Sequence, residues 1–175
     1  DKELNALLVI NPDNPSGNYI PHADILKLCK WAQMKNLRLV LDESFVDFSD
    51  FSYQDTLLLD SILEKFPLLV VVKSISKSYG VPGLRLGVLA SSDKVLIQQI
   101  RKDVSIWNIN SFAEFYMQIF NKYEADYKLG CENFVKERKR FFKSLSKISY
   151  LRVIPSQANY FLCEITGRYT STELT

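Results

Sequence analysis

Residues 71–87 read V-V-K-S-I-S-K-S-Y-G-V-P-G-L-R-L-G, a stretch suited to covalent chemistry on a phosphorylated ligand. Lys77 leaves an apolar run and enters a loop of small residues. A lysine placed there can be partly desolvated, which favours the neutral, nucleophilic amine. Ser74 and Ser76 put hydroxyls beside it, and Arg85 follows eight residues on. Hydroxyls and a guanidinium fork together can hold a phosphate. Gly80, Gly83 and Gly87 relieve the steric limits on a tight loop. Taken alone, the same letters also fit an ordinary polar loop with surface lysines.

Two more stretches carry polar groups at the ends of apolar runs. Asp42 opens D-E-S-F, residues 42–45. A carboxylate at a strand's carboxyl end can keep a heterocyclic ring nitrogen protonated, although strand-end aspartates also serve as caps and turns. Residues 11–17, N-P-D-N-P-S-G, form a stiff loop whose amide side chains can donate or accept; the bland reading is a turn.

The elements that must present these groups follow from hydrophobic pattern. Short apolar runs at residues 6–10, 37–41, 68–73 and 84–90 read as buried strands. Helical spacing appears at 21–36, where Pro21 suits a helix start, and at 60–65 and 93–103. Residues 47–56 lack a clear period and read as loop. A long helical pattern covers 111–149, with a break expected near Gly130, and strands at 151–154 and 160–165 follow. Alternating strands and helices predict an α/β domain with a largely parallel sheet. In such sheets ligands sit outside the carboxyl ends of the strands, so residues 11–17, 42–45 and 73–77 should meet on one rim.

Composition excludes several classes. Twenty-two basic residues face twenty acidic ones, a net charge of +2, which gives no footprint for nucleic acid or an anionic membrane. The cluster Lys136, Arg138, Lys139, Arg140 has helical spacing and reads as a solvated helix face. Cys29, Cys131 and Cys163 are widely spaced, and His22 is the sole histidine, so no metal site is expected. Three unpaired thiols fit a reducing, cytoplasmic compartment. No apolar run approaches the ~20 residues of a membrane span, and no secretion leader is visible.

In their order and spacing the three motifs resemble those of fold-type I pyridoxal-phosphate (PLP) enzymes, the aspartate-aminotransferase superfamily. Within it they are similar to the branch holding histidinol-phosphate aminotransferases and threonine-phosphate decarboxylases. N-P-D-N-P-S-G matches that branch's N-P-x-N-P-T/S-G, D-E-S-F its D-E-A-Y, and residues 74–87 its S-x-S-K-x-x-G-x-x-G-x-R-x-G. The likeness continues through W-N-I-N-S at 107–111 and S-Q-A-N-Y-F-L at 156–162. It implies that Lys77 forms the Schiff base with pyridoxal 5'-phosphate and moves the proton. Asp42 is implied to pair with the pyridinium nitrogen, Asn14 to bond the ring 3-oxygen, and Ser74, Ser76 and Arg85 to hold the phosphate. Asn159 is implied to lie near the substrate carboxylate. Phe45 departs from the pattern, standing where the family usually places a tyrosine whose hydroxyl also contacts the ring oxygen.

The resemblance also implies a chain about twice as long. Residues 1–110 would come from the large PLP-binding domain; 111–175 would supply a linking helix and part of a small α+β domain. The pieces expected outside the chain are a glycine/serine phosphate loop, a ring-stacking aromatic, a substrate-entry arm and a carboxylate-binding arginine, for which Arg168 lies too close to the 160–165 strand to stand in. The implied activity is transamination between an amino acid or phosphorylated amine and a 2-oxo acid, in a homodimer. Two alternatives share the same residues: decarboxylation of a phosphorylated amino acid, and a piece that is structural or dimerising and not catalytic by itself.

Overall fold

The computed structural model describes residues 4–50 and 56–174. Four strands form one sheet in the order β1 (Ala6–Ile10), β2 (Arg38–Asp42), β3 (Leu69–Ser74), β4 (Gly87–Ala90). The first three run parallel, with Ile10 beside Asp42 and Asp42 beside Val72. β4 is antiparallel to β3, pairing Lys73 with Val88 and Ser74 with Gly87, so the sheet is mixed. The connection explains the reversal, because the twelve residues between them leave β3 and return at the same end instead of crossing the sheet.

Side chains alternate across a strand, so each strand has two distinct faces. Leu7, Val9, Leu39, Leu41, Leu69, Val71 and Ala90 point to one face and meet helix α1 (His22–Met34) and helix α2 (Asp60–Lys65) through Ile25, Cys29, Ala32, Leu63 and Phe66. Burial in this core pushes the Cys29 thiol up to about 11, making it a packing residue rather than a reactive one. The other face carries Asp42, Val72, Ser74, Gly87 and Leu89.

Where a Ser/Lys/Gly loop was expected after β3, the chain makes one helical turn, α3 (Ile75–Ser78), then a 3-10 turn at Pro82–Leu84. Asp93 caps α4 (Lys94–Asp103) by accepting from Leu96 N–H at 3.0 Å. Asn110 likewise caps α5 (Ser111–Ile119). The long helical pattern breaks at Phe120–Tyr123, and α6 (Glu124–Leu145) runs straight through Gly130. The break falls where Phe120 packs on Tyr79 and Tyr79 stacks on Tyr127, with centroids 4.8 and 4.2 Å apart. One glycine costs a 22-residue helix only ~1 kcal/mol. β5 (Leu151–Val153) and β6 (Cys163–Ile165) pair antiparallel, and α7 (Ser171–Leu174) follows. The expected loop at 47–56 begins with a 3-10 turn at Val46–Phe48, and its residues 51–55 lie outside the described residues. No helix among the described residues is long and apolar enough to cross a membrane.

Candidate active site

The carboxyl ends of β1, β2 and β3 lie side by side, as the strand pattern predicts. Asn11 N–H donates to Asp42 C=O at 2.9 Å, and Glu43 N–H donates to Val72 C=O at 2.8 Å. The D-E-S-F turn is tied down twice. Ser44 N–H donates to Asp42 Oδ1 at 2.8 Å, fixing the carboxylate plane, and Ser44 Oγ accepts from Ser74 N–H at 3.0 Å. Asp42, Ser44, Ser74, Ser76 and Arg85 line a cavity of about 440 Å³ on the sheet face opposite the helical core.

The two lysines of the V-V-K-S-I-S-K run diverge. Lys73 points to the core side, where Nζ pairs with Asp47 Oδ1 at 2.7 Å, both side chains less than a tenth exposed. Lys77 is exposed on α3, and its Nζ sits 4.2 Å from the centroid of the Phe45 ring. A cation over an aromatic face at that distance is attracted by the ring quadrupole. Phe45 therefore meets Lys77 while also packing in a buried cluster with Phe48 and Ala158.

Asn14 and Asn159 are exposed, and neither amide has a polar partner among the described residues. Ser74 Oγ, Asp42 Oδ2 and Lys77 Nζ likewise carry no hydrogen bond there, and Arg85 makes one 3.5 Å contact from Nη1 to Pro82 C=O. Arg85 itself adopts a left-handed backbone, φ 55°. Ser76 differs from this group. Its hydroxyl is buried, accepts from Leu86 N–H at 3.1 Å and donates to Leu86 C=O at 3.3 Å, so it braces the backbone beside Arg85.

Three participants were not picked out from the sequence: Ser44, the Lys73–Asp47 pair and Tyr160. For Lys73 a signal was present, since a lysine ending the run L-L-V-V-V must find a counter-charge if the strand is buried. Glu43 is almost fully enclosed, and burial chiefly raises its carboxyl above the usual range. It accepts from Thr56 Oγ at 2.6 Å and Leu57 N–H at 2.7 Å, anchoring the segment that leads to α2.

A mixed α/β sheet whose parallel strands end on one shared rim is the architecture of PLP-transferase fold type I. The chain belongs to the aminotransferase class I and II family, whose model matches residues 1–175. It is 31% identical over 171 residues to CMP-5'-(3-aminopropyl)phosphonate synthase of Streptomyces rubellomurinus, covering 98% of this chain and 27% of that protein. It is 30% identical to an L-serine phosphate decarboxylase of Sulfurospirillum multivorans, covering 96% of this chain and 43% of the relative. The crystal structure of the histidinol-phosphate aminotransferase from Clostridium acetobutylicum superposes with a TM-score of 0.83 at 27% identity, over 97% of this chain and 50% of that one. The chain thus spans between about a quarter and a half of these relatives' length.

Proposed function

We propose that the whole protein is a pyridoxal 5'-phosphate-dependent aminotransferase in which Lys77 binds the cofactor covalently and carries the proton at the substrate's α-carbon. The observation that carries this reading is the division of polar groups at the strand ends. Lys73 and Ser76 are committed to internal partners, whereas Lys77 Nζ, Asp42 Oδ2, Ser74 Oγ and Asn14 carry no hydrogen bond among the described residues and Arg85 has only a 3.5 Å contact to Pro82 C=O.

The latter groups fit the cofactor in kind: an amine for its aldehyde, an anion for its ring nitrogen, an amide for its ring oxygen, a hydroxyl and a guanidinium for its phosphate. When bound, the ring supplies an electron sink for the bond broken at the α-carbon. Asp42, held in plane by Ser44 N–H, would keep the ring nitrogen protonated. Arg85, beside the backbone that Ser76 braces through Leu86, would hold the phosphate. Lys77 Nζ, which lies over the Phe45 face, would hold the cofactor's aldehyde and carry the proton at the substrate's α-carbon. Asn159 is assigned to the substrate carboxylate. Residues 1–110 are read as large domain and 111–175 as linking helix and small domain. The family likeness supports a homodimer, and cysteines that form no disulfide among the described residues fit a cytoplasmic compartment.

Decarboxylation of a phosphorylated amino acid is the second reading, favoured by the L-serine phosphate decarboxylase among the relatives. The test uses the whole protein with cofactor, borohydride reduction and peptide mapping, followed by a screen of amino donors. Label at Lys77 is expected; label at Lys73 overturns the assignment. Oxo-acid formation supports the first reading, and stoichiometric carbon dioxide release replaces it with the second.

A further inference from the structure

Tyr160 connects the last third of the chain to both sides of the site. Its hydroxyl donates to Asp13 C=O at 2.7 Å, inside the loop that carries Asn14. Its ring meets Phe45 edge-to-face, with centroids 5.2 Å apart and planes at 86°. That geometry is favourable for aromatic pairs and fixes the tilt of the ring it touches. Phe45 also lies under Lys77 Nζ, 4.2 Å from its ring centroid. The segment around Tyr160 is seated firmly: Gln157 N–H donates to Gly17 C=O at 2.8 Å, Ala158 is fully buried, and Gly17 leaves no room for a Cβ, which would stand 2.0 Å from Ser156 Oγ. Burial, with Asp13 nearby, raises the Tyr160 phenol, so it remains a donor through the neutral range.

We infer that Tyr160 is a positioning residue of the cofactor site, holding the Phe45 ring beneath the Lys77 amine with its own ring and the Asn14 loop in place with its hydroxyl. The inference rests on the assignment of Lys77 as the cofactor lysine, and its two halves separate by substitution. Tyr160→Phe keeps the ring and loses the hydroxyl; Tyr160→Leu loses both.

The test uses the whole protein and two readouts. The first needs no cofactor: competitive acetylation of lysines read by mass spectrometry, with exposed Lys94 as the internal reference. Lys77 is expected to react at least about twofold faster in Tyr160→Leu, because the ring it rests on loses its support, and at the wild-type rate in Tyr160→Phe. The second is titration with pyridoxal 5'-phosphate. Affinity should fall about two- to tenfold in Tyr160→Phe, the effect of one neutral hydrogen bond, with an additional slowing of covalent capture in Tyr160→Leu. A thermal melt accompanies both. Lower melting temperatures with unchanged Lys77 acetylation and unchanged capture would reduce Tyr160 to a packing residue and overturn the proposal. If Tyr160→Leu fails to fold, wild-type cofactor affinity in Tyr160→Phe overturns the hydroxyl's role, and unchanged Lys77 acetylation in Phe45→Leu overturns the ring's. A wild-type protein that never captures the cofactor would end the functional reading, while the acetylation pattern still decides the role of Tyr160.

Discussion

Replacing Lys73 by methionine should be among the most damaging single changes in this chain, because Lys73 is committed to a buried ion pair. Lys73 Nζ and Asp47 Oδ1 meet at 2.7 Å with side chains 7% and 9% exposed. Asp47 Oδ2 is also buried and has no hydrogen-bond partner among the described residues. Removing the cation leaves that carboxylate desolvated with no alternative donor in place. Breaking a buried pair from one side costs about 3–5 kcal/mol, whereas replacing both partners by apolar groups is close to neutral. With a urea m-value of about 2 kcal/mol per molar, the unfolding midpoint of Lys73→Met should drop by about 1.5–2.5 M. Lys73→Met/Asp47→Leu should regain most of it. Urea denaturation of the three proteins, followed by circular dichroism, measures this. A single variant within about 1 kcal/mol of wild type, or a double variant no better than the single, would refute the reasoning.

Asp42→Asn should abolish most turnover in the whole protein, because a neutral amide cannot keep the ring nitrogen protonated, whereas Glu43→Gln should spare turnover and alter stability; equal loss of activity from the two would contradict the Asp42 role. Burial raises Glu43 from its reference of 4.5, so its contribution favours the folded state in acid and is lost as pH rises through the folded value. Glu43→Gln should therefore gain stability relative to wild type as pH climbs above about 4.5, which urea midpoints at a series of pH values will register. Arg85→Lys should weaken cofactor affinity about tenfold to a hundredfold, the loss of one charge-assisted bond worth roughly 1.5–3 kcal/mol, as measured by fluorescence titration.

The strands of the main sheet were legible because buried strands are written as continuous apolar runs, and β1, β2 and β3 match theirs to within a residue or two. The direction of β4 was not, since Leu-Gly-Val-Leu-Ala has no polarity that a neighbour could read. Gly130 misled because glycine is weighed locally, while the true helix break depends on Tyr79 meeting Phe120 and Tyr127 some forty residues away in sequence. The motif residues were readable as separate stretches, and their shared rim followed from the parallel strands. The commitments that sort them were not readable. The motif singles out Lys77, and the place of Lys73 at the end of an apolar run calls for a counter-charge, but its partner Asp47, 26 residues upstream, was not legible. Tyr160 has no legible role within its motif, because Asp13 lies 147 residues before it.

That last separation bears on the order in which the protein is assembled. Contacts between distant parts of a chain must offset the entropy of closing the loop between them, and they form late. On a ribosome, the β1–β4 sheet and Lys77 emerge well before Tyr160, at a rate of about 5–20 residues per second. During that interval the nascent chain already carries Lys77, while the Asn14 loop and the Phe45 ring still lack the side chain that holds them. Mature geometry around Lys77 is therefore a product of completed synthesis.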